Sequence, residues 1–176
     1  MEPSVAQAKV MVDELIRCGV ADVVLAPGSR SAPLALELAA AHARFDIRVH
    51  VRLDERVAGF VALGIGKATG IPAAVVTTSG SAVANLLPAV IEADHSYVPM
   101  LLLTADRPPQ LRGIGANQTI AQTTIFGPHV RSVTDMATAT TSEGQVKYWR
   151  TEVSREWDIE MNRTWADRIS RYPDSP

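Results

Sequence analysis

Four short apolar segments rich in β-branched residues alternate with helix-like stretches over the first 105 residues. They are ADVVLA (21–26), RVHVRL (48–53), IPAAVVTT (71–78) and VPMLLLTA (98–105). The third segment is almost wholly apolar, which is the pattern of a strand covered on both faces. Strands that alternate with helices build a parallel sheet, so the sequence predicts an α/β fold with an open, mostly parallel sheet and flanking helices.

The segments between these strands predict helices over residues 4–18, 31–41, 55–68 and 82–92. Ser4 and Asp54 are suitable N-caps because their side-chain oxygens can accept hydrogen bonds from free backbone N–H groups. Gly19 and Gly70 follow the first and third helices, where glycine commonly ends a helix.

Composition excludes several classes of protein. The 17 basic and 19 acidic residues give a net charge of −2, so the chain has no general positive field for nucleic acid. Its one cysteine, Cys18, excludes a disulfide framework and a four-thiolate zinc site. No apolar run approaches the ~20 residues of a membrane span. No export signal is visible at the N-terminus, so we expect a cytoplasmic protein.

Residues 143–176 differ in composition from residues 1–142. They hold all three tryptophans and 13 of the 36 charged residues. Apolar side chains recur there at every fourth position, at Trp149, Val153, Trp157, Met161, Trp165 and Ile169. This spacing predicts an extra C-terminal helix of roughly seven turns, either docked on the sheet or binding a partner. Residues 172–176 are expected to form a frayed end.

Ligands in such a sheet meet the loops at the carboxyl ends of the strands. The PGSR turn at 27–30 exposes the Ser29 hydroxyl and the Arg30 guanidinium, which can bind a carboxylate through two hydrogen bonds. An ordinary turn with a solvated arginine is the alternative. Glu55 lies in the first turn of a helix, where it is either a capping acid or a ligand-binding carboxylate.

Two further loops carry polar groups. The TSGS turn at 78–81 offers hydroxyls and free amides at a helix N-terminus, although such turns are common. In the loop at 105–119, Arg107 follows a strand, and glycines permit a left-handed path before Asn117 and Gln118. These side chains either orient a carboxylated substrate or belong to a structural loop. The four histidines show no metal-ligand spacing, so no metal ligand is expected in this chain.

Taken together, VLAPGSRSAPL, VRLDERVAGFVALGIGKATG, VTTSGSAVANLLPAVIEA and LLLTADRPPQLRGIGANQTI resemble the N-terminal half of one enzyme family. This family is the thiamine-diphosphate-dependent synthases that make 2-succinyl-5-enolpyruvyl-6-hydroxy-3-cyclohexene-1-carboxylate (SEPHCHC) in menaquinone biosynthesis. The resemblance runs from about residue 5 to residue 135 and is expected to be lost by about residue 156. It implies a pyrimidine-binding domain in residues 1–142, followed by a divergent helical tail.

The resemblance also implies roles for individual residues. Glu55 falls on the family's cofactor glutamate, which hydrogen-bonds a pyrimidine ring nitrogen and supports proton removal from the cofactor. The turn beside that ring is formed by Thr78, Ser79, Gly80 and Ser81. The substrate side of the site is formed by Ser29, Arg30, Arg107, Asn117 and Gln118, with Gln118 also counted as catalytic.

In the family, 2-oxoglutarate is decarboxylated on thiamine diphosphate and the product adds to isochorismate. Mg²⁺ is held there by a GDG motif in a C-terminal domain, whereas this chain has no GD dipeptide. The family site forms between domains of two subunits, which implies a homo-oligomer or pairing with a diphosphate-binding domain. We therefore expect half a site and no activity of the chain alone. The alternative is a truncated, non-catalytic module that associates with full-length synthase subunits.

Overall fold

A computed structural model describes the backbone of residues 2–171 and the side chains of residues 2–161. Its strands are β1 (Asp22–Leu25), β2 (Arg48–Val51), β3 (Ala73–Thr77) and β4 (Met100–Thr104). Its α-helices are α1 (Pro3–Arg17), α2 (Ala32–Ala43), α3 (Glu55–Thr69), α4 (Ser81–Ala84), α5 (Leu87–Ser96) and α6 (Gln145–Arg171). Two short 3₁₀ turns, Pro109–Leu111 and Gly127–His129, lie between β4 and α6.

The strands form one parallel sheet in the order β2-β1-β3-β4. Val23 of β1 pairs with Val49 on one side and with Ala74 on the other. The predicted open parallel sheet with flanking helices is confirmed, although each strand is shorter than its apolar segment. None of the helices in the described part of the chain combines the length and apolar composition needed to cross a bilayer.

Helices cover both faces of the sheet, which explains the continuous apolar strands. Successive strand residues point to opposite faces. Val24 and Val75 accordingly pack with α3, α4 and α5, in one core with Ala62 and Leu86. The second core lies against α1, α2 and α6, and contains Val23, Val76, Leu15, Leu38 and Val153.

Helix ends match the predictions in one case and differ in another. The predicted cap of α3 is confirmed, because Asp54 Oδ1 accepts hydrogen bonds from the backbone N–H of Arg56 at 2.9 Å and Val57 at 3.3 Å. The predicted cap at Ser4 is wrong. Helix α1 begins one residue earlier, at Pro3, a residue that suits the first helical position because it has no N–H to leave unpaired.

The single helix predicted over residues 82–92 is also wrong. The chain forms α4 and then α5, with Asn85 and Leu86 between them. Pro88 lies in the first turn of α5 and has no N–H to continue the hydrogen-bond ladder from α4. The break after Ala84 is therefore a consequence of this proline.

The predicted C-terminal helix is present as α6, which spans 27 residues. It docks against α1 and β4, with Trp149 only 1% exposed. Arg150 forms ion pairs with Asp13 and Glu14 of α1, and the Ser154 hydroxyl donates to Glu14 at 2.7 Å. We call these four residues the α1–α6 seam. The side chains of Trp165 and Ile169, and residues 172–176, lie outside the described residues.

Candidate active site

The loops at the carboxyl ends of β1 and β3 lie side by side, where the strand order changes direction. The chain leaves β1 toward β2 on one side and leaves β3 toward β4 on the other. Ligands bind at such a switch point in open parallel sheets. The loop after β4 folds over both neighbouring loops, because Gln118 contacts Arg30 after β1 as well as Thr78 and Ser79 after β3.

Two glycines permit this close packing. A side chain at Gly28 would overlap that of Thr78, so the turn after β1 can approach the turn after β3 only without a Cβ. Gly80 has a φ of 84°, and a Cβ there would lie 2.9 Å from Cγ of Gln118. The sequence signalled turns at both places but not the contacts that require glycine.

Two arginines converge on one backbone carbonyl. The oxygen of Asn117 accepts from Arg107 Nη2 at 3.1 Å and from Arg30 Nη2 at 3.4 Å. Arg30 Nη1 also donates to Oε1 of Gln118. We call these four residues the arginine cleft. All of these acceptors are neutral, so they orient the guanidinium groups without cancelling their charge.

The charge of the arginine cleft is uncompensated within the described chain. No carboxylate of a described residue forms an ion pair with Arg30 or Arg107. The Nε of Arg30 is buried and has no hydrogen-bond partner among the described atoms. A buried donor without a partner is costly, and an incoming anion would satisfy it. The cleft is therefore suited to a carboxylate.

The neighbouring Arg112 shows the opposite arrangement. It lies 2.9 Å from Asp106 and 2.6 Å from Asp135, within ion-pair distance of both carboxylates. The hydrogen bond from Arg112 holds the pKa of Asp135 below its ordinary value. Arg112 is thus committed to holding the loop together, although it lies only five positions from Arg107.

Gln118 links the cleft to the turn after β3. Its Nε2 donates to the carbonyl of Ser79 at 2.9 Å and to Oγ1 of Thr78 at 3.3 Å. In return, the Ser79 hydroxyl donates to the Gln118 carbonyl at 2.8 Å. Gln118 has a φ of 56°, an uncommon value for a residue with a side chain. These bonds compensate for that conformation.

Gln122, which the sequence did not indicate, joins the turn after β3 to the start of the loop after β4. Its side chain is buried, accepts from the N–H of Gly80 at 2.7 Å and donates to the carbonyl of Ala105 at 2.9 Å. An amide serves here because it can donate and accept at once. A single glutamine in a polar loop belongs to no periodic pattern or motif, so no sequence signal indicated it.

Glu55, the first residue of α3, forms no hydrogen bond with the arginine cleft among the described residues. Asp54 accepts the free helix N–H groups, so Glu55 is not the capping acid that the sequence left as an alternative. Among the described residues, its carboxylate accepts only a long hydrogen bond, 3.5 Å, from Nδ2 of Asn85 to Oε2. The structure thus divides the predicted site residues into two groups.

Ser29 and Ser81 take part in neither group through a side-chain hydrogen bond within the described part of the chain. Ser29 lies in the turn before α2, and Ser81 is the first residue of α4. Both are exposed, so their hydroxyl groups are accessible from solvent. Their implied roles in substrate and cofactor binding stay predictions.

Comparison with known families identifies the domain. Residues 6–125 match the family model described as the thiamine pyrophosphate enzyme, N-terminal TPP binding domain. The chain belongs to this family. The match includes the two loops that pack at the switch point, Glu55 and the arginine cleft.

Several curated relatives are each named SEPHCHC synthase. The protein of Saccharopolyspora erythraea is 54% identical over 171 residues, which cover 96% of this chain and 30% of the relative. That of Thermobifida fusca is 52% identical, over 89% of this chain and 28% of the relative. That of Nocardia farcinica is 51% identical, over 88% and 30%. The predicted resemblance is confirmed, and the chain spans about 30% of the length of these relatives.

One expectation about the resemblance is wrong. The match with the Saccharopolyspora protein leaves only about 4% of this chain uncovered, so similarity continues beyond residue 156 and into α6. The tryptophan-rich and charged composition suggested a divergent segment. The structure accounts for this composition, because α6 buries Trp149 and Val153 in the core and carries its charged residues elsewhere on its surface. The division of the chain into residues 1–142 and a separate unit of residues 143–176 stays a prediction.

Proposed function

We propose that this chain supplies the pyrimidine-binding half of a SEPHCHC synthase active site. The whole enzyme would decarboxylate 2-oxoglutarate on thiamine diphosphate and join the product to isochorismate in the cytoplasm, for menaquinone biosynthesis. The observation that carries this proposal is the uncompensated charge of the arginine cleft, in a domain of the thiamine pyrophosphate family. Both proposed substrates carry carboxylates, which are the natural partners of such a cleft.

Arg30 and Arg107 bind and orient these carboxylates. Planar guanidinium groups fit carboxylates through paired hydrogen bonds, which fix direction as well as position. The Asn117 carbonyl holds both groups, and the Gln118 side chain holds Arg30. Orientation is prepared before the substrate arrives, so less free energy is lost on binding. The exposed Ser29 hydroxyl is placed to donate a further hydrogen bond to the substrate.

Glu55 would hold the pyrimidine ring of the cofactor. Within the described part of the chain its one side-chain hydrogen bond, the long one to Asn85, leaves most of its hydrogen-bonding capacity to accept from a ring N–H and to share that proton. Bound thiamine diphosphate supplies the electron sink that decarboxylation requires. Thr78, Ser79, Gly80 and Ser81 would line the ring, and Gln118 would join the substrate side to this turn. The residues present therefore fit the cofactor.

An apolar surface beside Glu55 supports pairing with another domain. Leu53 is 85% exposed, and Val57 and Phe60 are each nearly half exposed on the first turns of α3. Neighbouring exposed apolar side chains commonly mark an interaction surface. A second subunit or a diphosphate-binding domain that covers them would also remove water from Glu55. That domain would hold Mg²⁺ and the diphosphate, so the chain alone is expected to be inactive.

Reconstitution tests this function. The chain is mixed with a separately made diphosphate-binding half of the Saccharopolyspora relative, thiamine diphosphate, Mg²⁺ and both substrates, and turnover is measured. We expect turnover only in the mixture. No turnover from two folded halves that associate would contradict the catalytic proposal and would favour the non-catalytic module.

Two variants separate the two groups of site residues. Glu55→Gln should lose deuterium exchange at the cofactor C2 position, whereas Glu92→Gln, on α5, should retain it. Arg107→Met should lower kcat/KM for 2-oxoglutarate by about 100-fold or more, the usual effect of losing a charged hydrogen bond of about 3 kcal/mol. Arg44→Met, which removes a surface pair with Asp46, is the matched control. Unchanged exchange in Glu55→Gln would refute the role of that residue.

A further inference from the structure

Two histidines and an aspartate meet at the end of the sheet opposite the arginine cleft. Asp94 and His95 lie in the last turn of α5, which leads into the amino end of β4. His129 ends the 3₁₀ turn Gly127–His129, and this turn packs against α5. The site loops, in contrast, follow the carboxyl ends of the strands. This cluster is therefore separate from the proposed active site.

The distances in the cluster are close to those of a metal site. Nδ1 of His129 lies 3.1 Å from Oδ2 of Asp94, and the rings of His95 and His129 are centred 6.1 Å apart. One ligand atom of each residue lies within 4.8 Å of the other two. Donors bound tetrahedrally at about 2.0–2.2 Å from Zn²⁺ are about 3.3–3.6 Å apart. His95 is exposed, so its side chain has room to rotate toward the other two ligand atoms.

We propose that Asp94, His95 and His129 bind a divalent transition-metal ion of the Zn²⁺ type. Imidazole nitrogen favours zinc and its neighbours in the first transition series over Mg²⁺ and Ca²⁺, which prefer oxygen. Three protein ligands leave a fourth position for water. The C-terminus of α5 carries a partial negative charge from its free carbonyl groups, which further stabilises a cation there.

The fold creates this cluster from residues that the sequence keeps apart. Asp94 and His129 are separated by 35 positions, so no metal-ligand spacing appears in the sequence. For this reason the sequence predicts no metal ligand. Asp94 and His129 are partly buried and held by their mutual hydrogen bond, while His95 faces solvent. Two of the three ligands are thus held in place before an ion arrives.

Calorimetric titration of the chain with ZnCl₂ tests the site. The protein must carry no polyhistidine tag, and all 176 residues are used. We expect saturable binding of one Zn²⁺ per chain, and with Co²⁺ the visible absorption of a four-coordinate complex. His95→Ala and His129→Ala should each weaken Zn²⁺ binding by about ten-fold or more, as loss of a metal-supporting group does. Zn²⁺ should also raise the melting temperature of the wild type but not of His95→Ala.

His50→Ala is the matched control. Its imidazole also contacts an aspartate, with Nε2 2.8 Å from Oδ1 of Asp22, but it belongs to no three-ligand cluster among the described side chains. Circular dichroism of each variant without metal establishes that it folds, and the exposed His95 is the least sensitive position. The proposal is overturned by absence of saturable binding, by unchanged affinity in both cluster variants, or by an equal loss in His50→Ala.

Discussion

The arginine cleft and the α1–α6 seam use the same side chain in opposite ways. At the seam, Arg150 bonds two carboxylates, with Nη2 2.7 Å from Asp13 and Nη1 bonded to Glu14. In the cleft, the guanidinium groups of Arg30 and Arg107 donate only to neutral oxygens among the described residues. A guanidinium neutralised within the chain contributes to stability. One that is held but not neutralised keeps its charge available for a ligand.

We expect the largest loss of stability when a buried apolar side chain of α6, the helix that carries Arg150 and Ser154 of the seam, is removed. Trp149 is 1% exposed, so Trp149→Ala removes a large buried side chain and leaves a cavity. We expect a loss of about 3–5 kcal/mol in the free energy of unfolding, measured by urea denaturation. Trp157→Ala, at a partly buried position of the same helix, should cost less. Equal losses would show that α6 is not anchored at Trp149.

Arginine substitutions test the comparison directly. Arg150→Met leaves Glu14, which is 14% exposed, without its charged partner, and should cost about 1–2 kcal/mol. Arg30→Met and Arg107→Met should change the free energy of unfolding by less than about 0.5 kcal/mol, because no ion pair within the described chain is lost. Urea denaturation of all three variants measures the difference. If the cleft variants lost as much stability as Arg150→Met, the distinction would fail.

A low pH should also weaken the seam, because its two carboxylates then become protonated and lose their charge. The hydrogen bonds from Arg17 and then Arg150 lower the pKa of Asp13. Burial by itself would raise the pKa of Glu14, but hydrogen bonds from Ser154 and Arg150 more than offset it and lower that pKa below its ordinary 4.5. A lowered pKa in the folded state gives stability that is present above the unfolded pKa. This stability is lost as the pH falls through the folded pKa.

The seam contribution should therefore begin to fall below about pH 4.5, the ordinary pKa of Glu14, and be lost as the pH passes through the lower pKa of the folded state. The difference in unfolding free energy between Arg150→Met and the wild type should shrink as the pH falls from 7 to 3. Urea denaturation at several pH values measures it. A difference that stays constant over this range would indicate that Arg150 acts through packing of its aliphatic part.

Local patterns in the sequence predicted most of the fold and part of the site. The spacing of apolar residues indicates which positions are buried, so it predicts the four strands and the helix after Asp54. Arg30 and Arg107 are candidates from the sequence because each lies in a loop that follows a strand, and their roles stay predictions. Their convergence on Asn117 was not predicted, since it depends on the path of a loop in which Gln118 adopts a left-handed conformation.

Contacts between distant positions account for what sequence reasoning missed. Gln122 bonds Gly80 across 42 positions, and His129 meets Asp94 across 35. Neither contact leaves a periodic trace, because loop closure rather than local burial brings the groups together. The wrong prediction of one helix over residues 82–92 had a local cause instead. Pro88 gave a signal that outweighed the helical pattern around it.

The seam also determines when the domain can finish folding. Arg150 and Glu14 are 136 positions apart, so α1 cannot form the seam until α6 has been synthesised. Leu15 of α1 and Val153 of α6 share one core, which stays open on this side until α6 has been synthesised. Long-range closure of this kind slows folding. Newly made chains would therefore depend on protection from aggregation until α6 docks on α1.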